Sequence, residues 1–483
     1  MRKPLFSLLF AGAISPGASL CMASSMDESV RAMGCSLPLW AVLPFAGILL
    51  SIAIFPIFMP RFWHHHFGKV SAFWSLLFVI PFLCVYRDIA LYEILETMLI
   101  DYLPFIILLW GLSVISGGVV LRSSIQGKPL SNTTMLLIGT ILASLIGTMG
   151  ASIVMIRPVL RANKLREKKA HIVCFFIFLV ANIGGALTPV GPPLFLGYLH
   201  MVPFFWVTRH LLPPMLLVTA VLLALFYFID PHLFSKEQIM MPAAPETAGM
   251  AFRIEGSFNI VLLAGVVGII LISGYWQSGF VSIMGVEMYI RNSVRDGTII
   301  ALGLASLIAT PEKLRDDNEF SWLPLIEVAK LFAAIFVTII PALAILKAGP
   351  EGALASLFTT ITTPADYFWA SGWLSSFLDN APTYLTFFNM VLAKFGVSEA
   401  AIPVALMSDT HVSSPLIAHY LEAVSAGAVF MGANTYIGNA PNFLVKSIVE
   451  EAGVSIPSFF SYMFKYSIPI LTPIYIVIAY LFF

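Results

Sequence analysis

Apolar residues in this chain gather into long unbroken stretches, with polar residues confined to short clusters between them. A helix needs about 20 such residues to cross a hydrocarbon layer ~30 Å thick. Ten spans are predicted on that basis: Leu39–Phe58, Val70–Tyr86, Leu103–Leu121, Ala170–Tyr198, Leu211–Ile229, Ser257–Ser273, Gly297–Ala309, Leu323–Leu346, Leu416–Val445 and Pro457–Phe483. The loops give the sides. Met59–Lys69 (Arg61, Lys69) and Arg122–Asn132 (Arg122, Lys128) are basic, whereas Arg87–Asp101 carries Asp88, Glu93, Glu96 and Asp101. The excess of Lys and Arg in cytoplasmic loops puts the first two inside and the third outside. Arg157, Arg161, Lys164, Arg166, Lys168 and Lys169, relieved by Glu167 alone, form the most basic stretch and are expected inside as well.

Between two loops assigned to one side lies a single uncharged run, Thr133–Ile156, of 24 residues. One crossing would put the basic loop outside, and two crossings need about 40 residues. A re-entrant hairpin turning at Gly147-Thr148-Met149-Gly150-Ala151-Ser152 satisfies both constraints; a single span followed by an exceptional loop is the alternative. Trp373–Thr383 reads as a second hairpin, its polar core aligned with the first at an offset of 230 (Ala151 on Ala381). Thr188-Pro189-Val190-Gly191 and Thr435-Tyr436-Ile437-Gly438 share a Thr-x-(Val/Ile)-Gly core at an offset of 247, and each interrupts an apolar run. The chain therefore divides into residues 39–230 and 256–483, joined by a cytoplasmic linker, 231–255. With five spans per half, the second half starts from the opposite side. The expected fold is an all-α polytopic membrane protein, an inverted-repeat secondary transporter with about ten spans, two re-entrant hairpins and two broken helices. Such carriers bind cargo near the midplane, where freed backbone groups line a buried polar cavity.

Composition sharpens this reading. Hydrophobic residues make up 59% and charged residues 11%, against about 25% charged in soluble domains, which excludes an ordinary soluble protein. Lys plus Arg equals Asp plus Glu at 26 each, so there is no basic field to recruit nucleic acid. Cys21, Cys35, Cys84 and Cys174 are scattered without paired or metal-ligand spacing, and no disulfide framework or structural zinc is expected. Arg2 and Lys3 precede an apolar run, Pro4–Ile14, and small residues to Ala23, the form of a secretory signal over 1–23; an interfacial N-terminus is the alternative. No GxxxxGK(S/T) motif occurs, which disfavours ATP-driven transport by this chain alone. No enzymatic activity and no cofactor are expected, only transported ions, with the lipid bilayer as the main partner.

Asp379 is the leading candidate: a carboxylate at membrane depth, flanked by Ser375, Ser376, Asn380 and Thr383, is by default a functional site. It favours Na+ or H+ over a carboxylate substrate, which it would repel. It could equally cap the helix opened by Ala381-Pro382. Asn182 and Asn434-Thr435 put hard oxygen ligands at the helix breaks, or serve as interhelical hydrogen bonds. Glu327 and Lys330, at i, i+3, read as an ion pair or part of a proton path. Asp409 and His411 fall in a polar external loop, Ser408–Ser414, and His64-His65-His66, beside Arg61 and Trp63, reads as a solvated interfacial cluster.

Asn182-Ile183-Gly184-Gly185 followed by Leu187-Thr188-Pro189-Val190-Gly191, together with Ser375-Ser376-Phe377-Leu378-Asp379-Asn380-Ala381-Pro382, resembles the ion transporter superfamily, within it the NhaD-type sodium:proton antiporters and the arsenite-pump membrane subunits. Trp40–Ile54, Phe62–Val70 and the Gly147–Ser152 hairpin resemble a bacterial branch of citrate transporters or sodium:proton antiporters. The similarity spans nearly all of the chain after the signal. It implies a scaffold domain, a moving domain with two hairpins, a homodimer in the bacterial inner membrane, and an ion site lined by Asn182, Thr188, Asp379, Asn380, Asn434 and Thr435. Two departures stand out. Pro192 follows Gly191 where sodium:proton antiporters often carry Asp, and neither tip has the Ser-Asn-Thr of dicarboxylate carriers; Ser131-Asn132-Thr133 lies at the first hairpin's entrance instead. Gly438-Asn439-Ala440-Pro441-Asn442 is similar to the Gly-Thr-Pro-Pro-Asn of those anion carriers. The expected activity is sodium(lithium):proton antiport, with a cation-coupled citrate or dicarboxylate transporter and an arsenite-efflux subunit as alternatives.

Overall fold

A computed structural model describes residues 29–30, 32–123, 126–237, 252–276, 278–318, 320–348, 351–407 and 414–483. The signal segment, most of the polar stretch with Asp409 and His411, and residues 238–251 of the linker lie outside the described residues. The rest is a multi-pass membrane protein: among the described residues, nine helices, or ten counting one bent pair, are long and apolar enough to cross a membrane. The outer helices leave large apolar side chains bare, such as Phe228 at 74% and Tyr480 at 87% exposure, a surface that suits lipid contact.

In chain order the first half contains α1 (Leu43–Phe58), α2 (Pro60–Glu96), a π-helical turn at Thr97–Tyr102, α3 (Leu103–Ser116), α4 (Pro129–Ala162), α5 (Ala170–Leu179), α6 (Pro192–Leu199) and α7 (Phe204–Phe234). The second contains α8 (Ser257–Tyr275), α9 (Ile290–Ala309), α10 (Leu323–Thr338), α11 (Ile340–Lys347), α12 (Pro364–Phe377), α13 (Asn380–Phe395), α14 (Ser414–Met431), α15 (Ala440–Glu451) and α16 (Ile468–Phe482). Two antiparallel ribbons complete it: β1 (Val120–Ser123) pairs with β2 (Phe252–Glu255), and β3 (Phe280–Ile283) with β4 (Val286–Tyr289).

Three boundaries differ from the sequence expectation, the first being the loop expected at Met59–Lys69, which is helix from Pro60 onward. The second and third spans are joined by helix instead of an acidic loop, the chain bending at Arg87, which has a left-handed φ of 43°. The acidic residues there are not free loop charges, since Asp101 is 6% exposed and bonded to His200. Helix α9 starts at Ile290 instead of Gly297 because its charges are neutralised: Arg295, fully buried, bonds Asp296 at 2.8 Å and lies over the Phe195 ring.

The re-entrant hairpins follow from distances. A straight helix the length of α4 would be about 50 Å long, yet Gly127 N donates to Ala162 O at 2.8 Å, and Asn132 and Asn163 exchange amide bonds of 3.0 and 2.7 Å. The chain reverses at Gly147 (φ 75°, ψ 159°). In the second hairpin α13 runs back along α12, with Tyr367 6.3 Å from Phe387 and Lys394 Nζ 5.8 Å from the Tyr367 ring. The hairpins open on opposite faces. The first opens beside Arg161 and Lys164. The second opens where the broken helix α5–α6 emerges on the far side, with Phe388 5.8 Å from His200.

The broken helices form the centre of the core. Residues from Cys174 to Ala181 have no exposure at all. On the basic-loop face, Arg166 bonds Asp230 at 2.6 Å and Glu237 at 3.2 Å, and Asp230 also bonds His171 and Asn132 at 2.8 and 3.0 Å. The basic loop is thus tied down by a buried charge network to the end of α7.

Two outcomes follow. Gly147 occupies backbone space open almost only to glycine, and a Cβ there would lie 3.0 Å from Val190 O, so Gly147→Ala should destabilise the protein by about 1–3 kcal/mol. A melting temperature in detergent checks this against Gly268→Ala, where a Cβ meets nothing within 4 Å and which should melt at or above wild type. The charge bias predicts that a cysteine replacing exposed Lys164 is shielded from an impermeant thiol reagent in intact cells, while one replacing Met284, at the β3–β4 turn, reacts.

Candidate ion and substrate site

Asp379 stands where two helices begin. Its Oδ1 accepts from Ala381 N at 3.1 Å, at the start of α13, and its Oδ2 accepts from Ala440 N at 3.0 Å, at the start of α15. Two partly positive helix ends therefore face one carboxylate. Capping does not exhaust it, because each carboxylate oxygen has a second lone pair.

The hydroxyls and amides predicted around it staple the second hairpin to the second break. Ser376 Oγ donates to Met431 O at 3.1 Å and accepts from Asn434 Nδ2 at 2.8 Å. Thr435 Oγ1 donates to Ser376 O and accepts from the backbone N–H of Ile437 and Gly438. Asn380, its amide orientation assigned from its neighbours, donates to Gly438 O, Ala428 O and Ser375 Oγ. Asn182 ties this cluster to the first break: its Nδ2 donates to Asn442 Oδ1 at 2.7 Å, and its Oδ1 accepts from Asn439 Nδ2 at 3.2 Å. Asn442 in turn donates to Gly432 O and Thr435 O at 2.9 and 2.8 Å.

Thr188 belongs to the counterpart cluster. Its Oγ1 donates to Ser144 O, and Ser144 Oγ donates to Gly184 O, each at 2.6 Å, stapling the first hairpin to the first break. That cluster has no carboxylate: the offset of 230 puts Met149 where Asp379 stands, and α6 opens behind Gly191 with no capping side chain and no acidic residue in its first turn.

A cavity of about 90 Å³ lies between the hairpin tip and the wall formed by α1, α2 and α10. Asp379, Asn439, Glu327, Met149, Trp63 and Phe332 are among its lining. Glu327 thus shares a cavity with Asp379, as a common path would require. Lys330 does not line it; its ammonium is exposed, 5.6 Å from the Phe67 ring. Two buried acceptors beside the second break, Asn434 Oδ1 and Asn439 Oδ1, have no hydrogen-bond partner among the described residues, and neither do the hydroxyls of Thr383, Thr148 and Ser152. Unpartnered buried oxygens are costly, and hard oxygens of this kind are what Na+ coordinates.

Asn439, Asn442 and Ser144 were not among the predicted ligands. The first two lie in the Gly438–Asn442 motif, Asn439 as the extended residue before α15 and Asn442 in its first turn; nothing in the sequence marks Ser144. His65 and His66 bond carbonyls of their own helix, those of Arg61 and Phe62, at the start of α2, His65 exposed and His66 half-buried.

Residues 34–483 match the family described as putative citrate transport. No curated protein matches the chain.

The Asn182–Asn442 bond joins the two breaks, so Asn182→Ala and Asn442→Ala should each destabilise by about 1–3 kcal/mol. A double-mutant cycle on unfolding in detergent should give a coupling above about 0.5 kcal/mol; additivity would mean that the breaks are held independently.

Proposed function

The chain belongs to the putative citrate transport family, and from that premise we propose that it is a secondary transporter in which Na+ (or Li+) and H+ compete for Asp379, exchanging one for the other by alternating access. One observation carries this reading: a single carboxylate holds two helix ends at a cavity of about 90 Å³ whose other ionisable lining residue is Glu327. A space so small, walled by two carboxyl groups, suits a dehydrated monovalent cation and opposes a tricarboxylate. Ionised Asp379 binds Na+ with help from Asn434 and Asn439 oxygens. Protonation removes the charge, releases the ion and permits the return movement of the hairpins. Activity should therefore rise with pH up to and beyond the site's effective pKa. Glu327 is the proposed proton relay on the cavity wall. The setting is the bacterial cytoplasmic membrane with the basic loop inside, the protein being a homodimer.

A second reading, cation-coupled citrate uptake, is supported by the family description and by the first half. There α6 opens with Pro192-Pro193, which have no N–H to offer, but the helical arm that restarts after Gly147 has no acidic cap, and the buried hydroxyls of Thr148 and Ser152 in it have no partner among the described residues. Helix N-termini with such donors hold carboxylates, and Na+ at Asp379 would offset that residue's repulsion.

Everted vesicles with a ΔpH-sensitive dye separate the two. Dequenching by Na+ or Li+, but not K+, that falls at least about tenfold in Asp379→Asn is the expected outcome. No cation response, with Na+-dependent uptake of labelled citrate in its place, would establish the second reading. Exchange that survives Asp379→Asn would remove the carboxylate from the mechanism.

A further inference from the structure

On the face away from the basic loop, His200 is held between two carboxylates. Its Nδ1 lies 2.8 Å from Glu399 Oε2 and its Nε2 2.9 Å from Asp101 Oδ1, and the residue is only 9% exposed. The three groups come from three parts of the fold: Asp101 from the π-helical turn that opens α3, His200 from the end of the first broken helix, and Glu399 from the turn that follows the second hairpin. A neutral imidazole has one N–H and can donate to only one of these carboxylates; an imidazolium has two and satisfies both. Protonation is therefore what makes the arrangement whole. Burial acts to expel the proton, but the charges of Glu399 and Asp101 and their hydrogen bonds outweigh it, holding the imidazole pKa well above its ordinary range.

The other titratable groups facing this cluster are Glu93 and Glu96 from α2 and Lys347 from the end of α11. Four carboxyl groups thus surround two cationic ones, so loss of the His200 proton removes half of the local positive charge and leaves Asp101 and Glu399 flanking a neutral ring.

We propose that His200, Asp101 and Glu399 form a second proton-binding site, separate from the Asp379 cavity, whose proton clasps the second hairpin and the end of the first broken helix to the α2–α3 unit. The sign follows from the direction of the His200 shift. The clasp is complete at acidic and neutral pH and is lost as pH rises through the raised value. Below that point the hairpin's open end is tethered; above it the two parts separate. The inference holds whichever cargo the Asp379 cavity carries.

The test uses the full-length protein in liposomes, with all four cysteines replaced and spin labels introduced at exposed Leu91 on α2 and Leu416 on α14. Pulsed EPR distances at pH 6 should show one population, and at pH 10 a second, longer one. His200→Gln, which has no charge and carries its donors on one nitrogen only, should show the pH 10 distribution at both values. His200→Arg, a permanent cation with several donors, should keep the pH 6 distribution at both, and Asp379→Asn should respond as wild type does. A wild-type distribution unchanged between pH 6 and pH 10 overturns the proposal without recourse to any variant. So does a pH response that persists in His200→Gln, or one that is lost in Asp379→Asn.

Discussion

Lipid offers no hydrogen bonds, so every peptide group that leaves a helix at membrane depth has to find its partner inside the protein. Among the described residues, the chain leaves helix four times in the core of the fold: at Gly147, over residues 180–191, at Leu378–Asp379 and over residues 432–439. The rest of the molecule is arranged around satisfying those breaks. Thr188 and Ser144 close one hairpin onto one break, Ser376, Asn434 and Thr435 close the other pair, and Asn182, Asn439 and Asn442 join the two pairs. These side chains are small amides and hydroxyls because they must both donate and accept within a few ångströms of exposed backbone. The polar centre is thus first a structural requirement, and its surplus oxygens are what the proposed ion site would use.

The two halves solve this problem differently, and the difference is chemical. In the second half, two helix N-termini share the Asp379 carboxylate. In the first, the equivalent position is Met149 and the start of α6 carries no acidic group. The second cluster thus holds a built-in negative charge, and the first holds an uncapped helical arm after Gly147 with the unpartnered hydroxyls of Thr148 and Ser152. An inverted repeat that had stayed symmetric would present two like sites; this one places the proposed cation site beside the hydroxyls that the citrate reading would use. The family description, citrate, and the chemistry of Asp379, a cation, are reconciled if both sites are used in turn, with the cation making the anion tolerable.

The spans and the first hairpin were legible in the sequence because they follow from length and charge, and the second hairpin and the breaks because their polar cores recur at offsets of 230 and 247. Twenty-four uncharged residues between two basic loops are too many for a turn and too few for two crossings, and the fold has a hairpin there. What the sequence did not reveal was which charges would be neutralised by distant partners. Asp101 and Glu96 read as loop residues and lie in helix and π-helical turn, because His200 and Lys347 arrive from 99 and 251 positions further along. Arg295 read as the end of a loop and is a fully buried part of α9. Lys330 and Glu327 read as neighbours on one helix face, yet only Glu327 reaches the cavity. Pairings at such separations leave no local periodicity, so His200, which interrupts no motif, carried no signal.

Helix α13 connects the two proposed proton sites. Asp379 is its N-cap, and Glu399 follows three residues after its left-handed C-terminal Gly396. Sixteen residues make a rod of about 24 Å, buried along most of its length against α6 and α12. Such a rod transmits displacement without bending, so a clasp on one end limits how far the other can move. If the clasp holds one conformation and cation binding at Asp379 favours the other, the sites are linked through that equilibrium, and the linkage is reciprocal. Na+ at Asp379 must lower the proton affinity of His200 by the same factor by which the His200 proton weakens Na+ binding. An exchanger built this way would senses pH on the face away from its basic loop through a group that never touches the cargo.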